Sequence, residues 1–171
     1  MILLICGSLR AGSGNAAVLG TAATLTESTT FTGLGELPHF NPNDDRDPLH
    51  PAVAGLRAAI KDADAVLICT PEYAGGLPGS FKNLLDWTVG GGEIYGTPVA
   101  GINASSVAAP TGGRDAHDSL RKVLTYAGAK IVDDACARIP VSRAVVADGQ
   151  VADPDLRGRI AVAVQRLREG V

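Results

Sequence analysis

Residues Ile2 to Ile5 form an unbroken apolar run that opens into Cys6-Gly7-Ser8-Leu9-Arg10-Ala11-Gly12-Ser13-Gly14-Asn15, after which Val18, Leu19, Ala22 and Leu25 recur at helical spacing. An apolar run without polar alternation reads as a strand covered on both faces, the arrangement of a parallel sheet. The Gly/Ser stretch is then the turn at the strand's carboxyl end, leading into a helix. Those are the parts of an anion cradle, because a helix start offers unpaired backbone N–H groups and the positive end of its dipole. Ser8 and Ser13 add hydroxyl donors, Arg10 adds a planar charged fork, and the glycines let the backbone approach closely. An ordinary βα turn uses the same Gly and Ser residues. An arginine between two serines at a helix entry favours a bound phosphate.

The kind of phosphate narrows further. A P-loop closes on Gly-Lys-Ser/Thr, and no lysine precedes Lys61. A dinucleotide fingerprint reads Gly-x-Gly-x-x-Gly, with an acidic residue about 20 positions later. Here the glycines are spaced otherwise, and the segment Thr29 to Thr32 carries no acid. A single terminal phosphate fits better than a diphosphate, which points to a mononucleotide.

The same alternation continues along the chain. Thr29 to Leu34 reads as a short strand near a sheet edge, followed by a long Pro/Asn/Asp loop from Glu36 to Asp45. Val53, Leu56, Ala59 and Ile60 have helical spacing, and Ala65 to Cys69 is a second continuous apolar strand. The loop Thr70 to Gly76 follows it. Pro78 suits a first helical turn, Leu77, Phe81, Leu84, Leu85 and Thr88 make one helix face, and Gly90-Gly91-Gly92 ends it. Val99 to Ala104 is the next strand, and Ser105 to Gly113 is a third loop. Leu120, Val123, Leu124 and Ala127 predict a fourth helix, Ile131-Val132 begins a last strand, and Asp155 to Glu169 predicts the terminal helix. Strands alternating with helices predict an α/β fold: a doubly wound five-stranded parallel sheet with helices on both faces, for which 2-1-3-4-5 is one strand order. Strands one and three then flank the switch point, where such sheets bind ligands. Residues 1–171 are expected to form one domain.

Composition excludes several classes. With 46% hydrophobic and 19% charged residues the chain is ordinary globular material, and a net charge of −3 suggests neither a nucleic-acid partner nor a membrane surface. No apolar run approaches the ~20 residues of a spanning helix, so a cytoplasmic location is expected. Three scattered cysteines, Cys6, Cys69 and Cys136, suit buried small hydrophobes rather than a metal site or disulfide framework. His39, His50 and His117 lack metal-ligand spacing and read as structural or surface residues.

Taken together, Gly7-Ser8-Leu9-Arg10-x-Gly12-Ser13-x-Asn15, Pro71-Glu72-Tyr73 and Pro78-Gly79-x-x-Lys82-Asn83-x-x-Asp86-Trp87 resemble the NADPH-dependent FMN reductase family. The likeness extends to Leu37-Pro38-x-Phe40-Asn41-Pro42 and to Gly112-Gly113-Arg114, and so covers most of the chain. It implies a flavodoxin-like fold and an FMN-dependent oxidoreductase. Hydride would pass from NADPH or NADH to flavin N5, then electrons to a small-molecule acceptor such as a quinone, azo dye, metal oxyanion or free flavin. The resemblance implies that Ser8, Arg10, Ser13 and Asn15 hold the FMN phosphate. Pro71, Glu72, Tyr73, Ala74 and Gly75 would border the isoalloxazine, and Ser105 and Ser106 its other edge. At Ala74 the chain departs from a common family form, in which asparagine is frequent. A cofactor of this kind carries the chemistry itself, so no catalytic side chain is expected. The family also implies a homodimer or homotetramer, for which the Pro38–Pro42 loop, Tyr73 and Trp87 offer apolar surface.

Plainer readings stand beside these. Tyr73 is either a core aromatic or a ring contact, and Trp87 belongs to the core or a subunit interface rather than to the flavin. Lys82 and Asn83 read as helix surface or capping partners, and Arg114 as a contact for NADPH phosphate or half of a salt bridge. A flavodoxin-type electron carrier is the alternative function, although carriers tend to be strongly acidic and this chain is not. A flavin-binding regulatory protein without turnover is a third.

Overall fold

The computed structural model describes residues 1–105 and 109–171. Five segments build a parallel sheet: β1 (Ile2–Cys6), β2 (Ser28–Phe31), β3 (Ala65–Cys69), β4 (Pro98–Asn103) and β5 (Lys130–Ile131), in the order β2-β1-β3-β4-β5, with the apolar β1, β3 and β4 at its centre. All the pairings are parallel, with Cys6 level with Cys69 and Cys69 level with Ile102. Chain order reverses between β1 and β3, as expected.

Successive strand residues point to opposite faces, and each face has its own core. Ile2, Leu4, Leu67 and Ile102 meet α1 (Gly14–Ala23) and α5 (Pro154–Glu169) on one side. Leu3, Ile5, Val66 and Ile68 meet α2 (Pro51–Lys61), α3 (Gly79–Gly91) and α4 (Arg114–Tyr126) on the other. Central strands read as continuous apolar runs because helices cover both faces. Burying each such Leu or Ile stabilises the fold by about 1.5–3 kcal/mol.

Three features differ from the sequence expectation or go beyond it. The fifth strand comes in two pieces: β5 pairs with β4, a 3-10 turn over Asp133–Ala135 interrupts, and β6 (Ala137–Arg138) pairs with β4 again. Adjacent aspartates are poor strand formers, and Ala135 is fully buried in the turn they begin. Spacing predicted no element between Val132 and Asp155, yet β7 (Val146–Ala147) and β8 (Gln150–Val151) form an antiparallel hairpin. Asp148-Gly149 joins them with positive φ at both positions, the geometry a two-residue hairpin requires. The hairpin docks on α1, where Thr21 Oγ1 accepts the Val151 N–H at 2.9 Å. Lastly, Trp87 is buried and therefore offers no surface to a partner. Its indole N–H donates to Pro38 O at 2.9 Å, and its ring meets Phe40 edge-on at 5.0 Å. Asn83, one turn earlier, accepts the Phe40 N–H at 2.7 Å and donates to Pro38 O at 2.9 Å. The Asn83/Trp87 pair thus pins the long Pro/Asn/Asp loop onto α3, while Lys82 pairs with Asp86 on the helix surface.

Candidate functional site

Three loops converge at the carboxyl edge of the sheet. The first leaves β1 at Gly7, where an added Cβ would lie 2.3 Å from Thr70 Oγ1, so only glycine lets the ends of β1 and β3 approach this closely. Ser13 caps α1: its Oγ accepts the Ala16 N–H at 3.1 Å, and the residue is buried. Ser8 Oγ accepts the Arg10 N–H at 3.2 Å, which leaves its hydroxyl proton free to donate. Arg10 is exposed and forms no ion pair among the described residues. Asn15, in the first turn of α1, is nearly buried. Its Oδ1 accepts the Ala104 N–H at 3.3 Å and the Cys69 thiol at 3.3 Å, tying the helix start to the ends of β3 and β4.

The second loop follows β3. Pro71 is buried, and Tyr73 and Gly76 exchange two backbone hydrogen bonds around Ala74-Gly75, whose φ values are 50° and 73°. Two positive φ values in a row define a type I′ turn. Tyr73 stands 53% exposed beside it, so a surface role replaces the core alternative. Glu72 turns away from this hairpin. Its Oε1 accepts the Thr111 hydroxyl, and its Oε2 accepts the Ala116 N–H at 3.2 Å. The N-cap of α4 is Gly113, at φ 84° and without a capping side chain, so Glu72 supplies that cap from a distance. The Thr111 hydroxyl is the main reason its carboxyl is held below the ordinary carboxylate range.

The third loop begins at Asn103, a buried residue whose functional weight the sequence reading missed. Asn103 Nδ2 donates to Thr70 O at 2.7 Å and its Oδ1 accepts the Ser105 N–H at 2.8 Å. A Cβ on Gly113 would lie 2.1 Å from that oxygen. An asparagine closing an apolar strand was the available signal, since a buried amide needs partners.

Ser8, Arg10, Asn15, Pro71, Glu72, Tyr73 and Ser105 border one cleft, completed by Gly14, Ala104, Ala109 and Val141. Ser13, Ala74 and Gly75 do not line it, and Ser106 lies outside the described residues. Arg114 Nε sits 3.6 Å from Asp115, the salt-bridge alternative. Burial pushes Cys69 and Cys136 well above or above the ordinary thiol range, which leaves them protonated. His117 belongs to a small cavity beneath α4 with Gly101 and Cys136, and burial lowers its pKa. Among the described residues no group of His, Cys, Asp and Glu could hold a metal ion, and no helix is long and apolar enough to cross a membrane.

The residues present fit a flavin mononucleotide. A helix start, an unpaired arginine and a serine proton converge where a phosphate would sit, and the Ala74–Gly76 turn leaves open space beyond it. An added Cβ on Gly76 would meet nothing within 4 Å.

Residues 1–141 match the family model described as NADPH-dependent FMN reductase. A 2-hydroxy-1,4-benzoquinone reductase from Burkholderia sp is 37% identical over 131 residues, covering 73% of this chain and 70% of the relative. An NAD(P)H-dependent FMN reductase from Pseudomonas aeruginosa is 35% identical over 130 residues, covering 73% and 69%. Among solved structures, the flavoenzyme NAD(P)H:(acceptor) oxidoreductase FerB from Paracoccus denitrificans superimposes with a TM-score of 0.76 at 28% identity, covering 98% of this chain and 97% of that one.

Proposed function

Because the chain belongs to the NADPH-dependent FMN reductase family, we propose that it is an FMN-dependent NAD(P)H oxidoreductase whose acceptors are quinones, with azo dyes, metal oxyanions and free flavins as further candidates. The observation that carries this is the cleft at the switch point, where unpaired Arg10 and Ser8 share one opening with the Tyr73–Gly76 turn. Held there, FMN would supply the redox chemistry between NAD(P)H and the acceptor.

The protein's part is to bind, orient and leave room. Arg10, Ser8 and the backbone N–H groups opening α1 hold the phosphate. Ser13 serves by capping that helix, and Asn15 by anchoring its first turn to Ala104. Pro71, Tyr73, Ala74 and Gly75 border the ring on one side and Ser105 and Ser106 on the other, while Glu72 holds the second loop against α4. Among the cleft residues, no general base or nucleophile is required. With little side-chain bulk at Ala74-Gly75-Gly76, nicotinamide and acceptor use the same open side in turn, which gives ping-pong kinetics.

Residues 1–171 act as one unit, located in the cytoplasm and assembled as a homodimer or homotetramer. Three free thiols and the exposed side chains of Tyr73, Tyr95 and Tyr126 support that setting. The test is anaerobic. NADPH alone should bleach the flavin absorbance of purified protein, a quinone should restore it, and initial-rate plots should be parallel. Intersecting plots would overturn the shared face. A flavin that neither nicotinamide bleaches would make the protein an electron carrier.

A further inference from the structure

We infer that Arg138 and Arg159 form an anion subsite for the phosphoryl groups of the nicotinamide dinucleotide. It rests on NAD(P)H being the co-substrate. A second cleft of about 650 Å³ is lined by Thr111, Gly112, Arg138, Pro140 and Arg159, and it shares Ala109 with the cleft described above. The two openings are therefore neighbours on one edge of the sheet. The volume lies within the range of small-molecule sites (roughly 300–1,000 Å³) and exceeds what a lone phosphate fills.

The chemistry of the wall is specific. Both arginines are exposed, and neither forms an ion pair among the described residues. Each is steadied by a single hydrogen bond to backbone: Arg159 Nη2 donates to Arg138 O at 2.6 Å, and Arg138 Nη1 donates to Thr111 O at 3.4 Å. That leaves most of the ten guanidinium donors of the pair uncommitted. In a chain of net charge −3, two guanidinium groups without a carboxylate partner among the described residues on the wall of one cleft make it locally cationic, and arginine forks match phosphate oxygens. Arg114, for which the sequence left NADPH phosphate and a salt bridge equally open, sits 3.6 Å from the Asp115 carboxylate. The first loop accounts for one mononucleotide phosphate, so the dinucleotide's own phosphates need a separate place. Pro140 and Gly112 hold the walls without side-chain bulk that would fill it.

The test is calorimetric titration of NADP⁺ and NAD⁺ into FMN-loaded wild-type protein and the double variant Arg138→Gln/Arg159→Gln. Loss of charge-assisted hydrogen bonds predicts NADP⁺ binding weaker by about tenfold or more, with FMN affinity and the KM for quinone unchanged. Loss for NADP⁺ alone identifies the 2′-phosphate as the bound group, and equal loss for both nucleotides identifies the pyrophosphate. Unchanged affinity for both, or an equal loss of FMN affinity, would overturn the subsite. Should the double variant not fold, wild-type NADP⁺ affinity must fall as ionic strength rises, and salt-independent binding would overturn it equally. Binding needs no turnover. Nucleotide held through these arginines without NADPH oxidation would remove the oxidoreductase assignment and keep the subsite, whereas turnover with unchanged affinities would do the reverse.

Discussion

Arg10 and Ala74 show how much single residues carry at this site. Arg10 is the cation of the first loop and has no carboxylate partner among the described residues. Arg10→Ala is expected to weaken FMN binding by about 1.5–3 kcal/mol, while riboflavin, which lacks the phosphate, is affected much less. Fluorescence titration with both flavins measures this, and equal losses would mean that the arginine shapes the loop instead. Ala74 is a different case: an L residue with a side chain held at φ 50° in a type I′ turn. Left-handed backbone disfavours alanine by about 1 kcal/mol relative to glycine, and asparagine tolerates it well. The family's frequent asparagine at this position therefore has a backbone reason in addition to its amide. Ala74→Gly should raise the urea unfolding free energy by up to about 1 kcal/mol, and no gain would show that the turn relaxes.

At the scale of elements, local propensity and tertiary fit can oppose each other. Gly55 lies exposed in α2, with nothing within 4 Å of an added Cβ, so Gly55→Ala should stabilise by about 0.5–1 kcal/mol. Gly20 is also helical, but its added Cβ would lie 2.5 Å from Gly149 O in the β7–β8 hairpin. Backbone cannot step aside as a flexible side chain can, and overpacking costs about 1–3 kcal/mol. Gly20→Ala should thus lower the melting temperature where Gly55→Ala raises it. The Glu72 clamp adds a pH dependence. Its folded-state pKa is lowered, chiefly by the Thr111 hydroxyl, so its contribution is present above the ordinary carboxylate pKa of about 4.3 and is lost as pH falls through the lowered value. Glu72→Gln should therefore leave a shallower acid limb in a stability–pH profile, with a loss near pH 7 of about 0.5–1 kcal/mol. An unchanged acid limb would remove the clamp from the acid response.

For the whole molecule, the sheet edge explains why two clefts lie side by side: both open where β1, β3, β4 and β6 end. Assembly is a separate matter of surface. With Trp87 buried, the exposed apolar side chains include Tyr73, Val89, Tyr95 and Tyr126. Light scattering on the FMN-loaded protein should give a mass of two or four 17.4 kDa chains. A mass near one chain at micromolar concentration would refute assembly.

Much of the architecture was legible because burial is written locally. Apolar runs at Ile2–Ile5, Ala65–Cys69 and Val99–Ala104 mark strands covered on both faces, and 3.6-residue spacing marks the helices that cover them. Winding rules allow more than one strand order; with the order 2-1-3-4-5, which the flavodoxin-like resemblance implies, the loops after strands one and three meet at the switch point. The Asp148-Gly149 hairpin was also written locally, in a turn signal that periodicity does not register. What only the tertiary structure decided is which polar group meets which. Asn15 binds Ala104 across 89 positions, Trp87 reaches Pro38 across 49, and Glu72 meets Thr111 across 39. A motif names the donors and acceptors present in a loop, but a hydrogen bond or an ion pair exists only where folding brings its partner within about 3 Å. Hence Asn15 and Glu72, adjacent in role by resemblance, are anchors of the site's walls, while Arg10, Arg138 and Arg159 keep donors open to solvent.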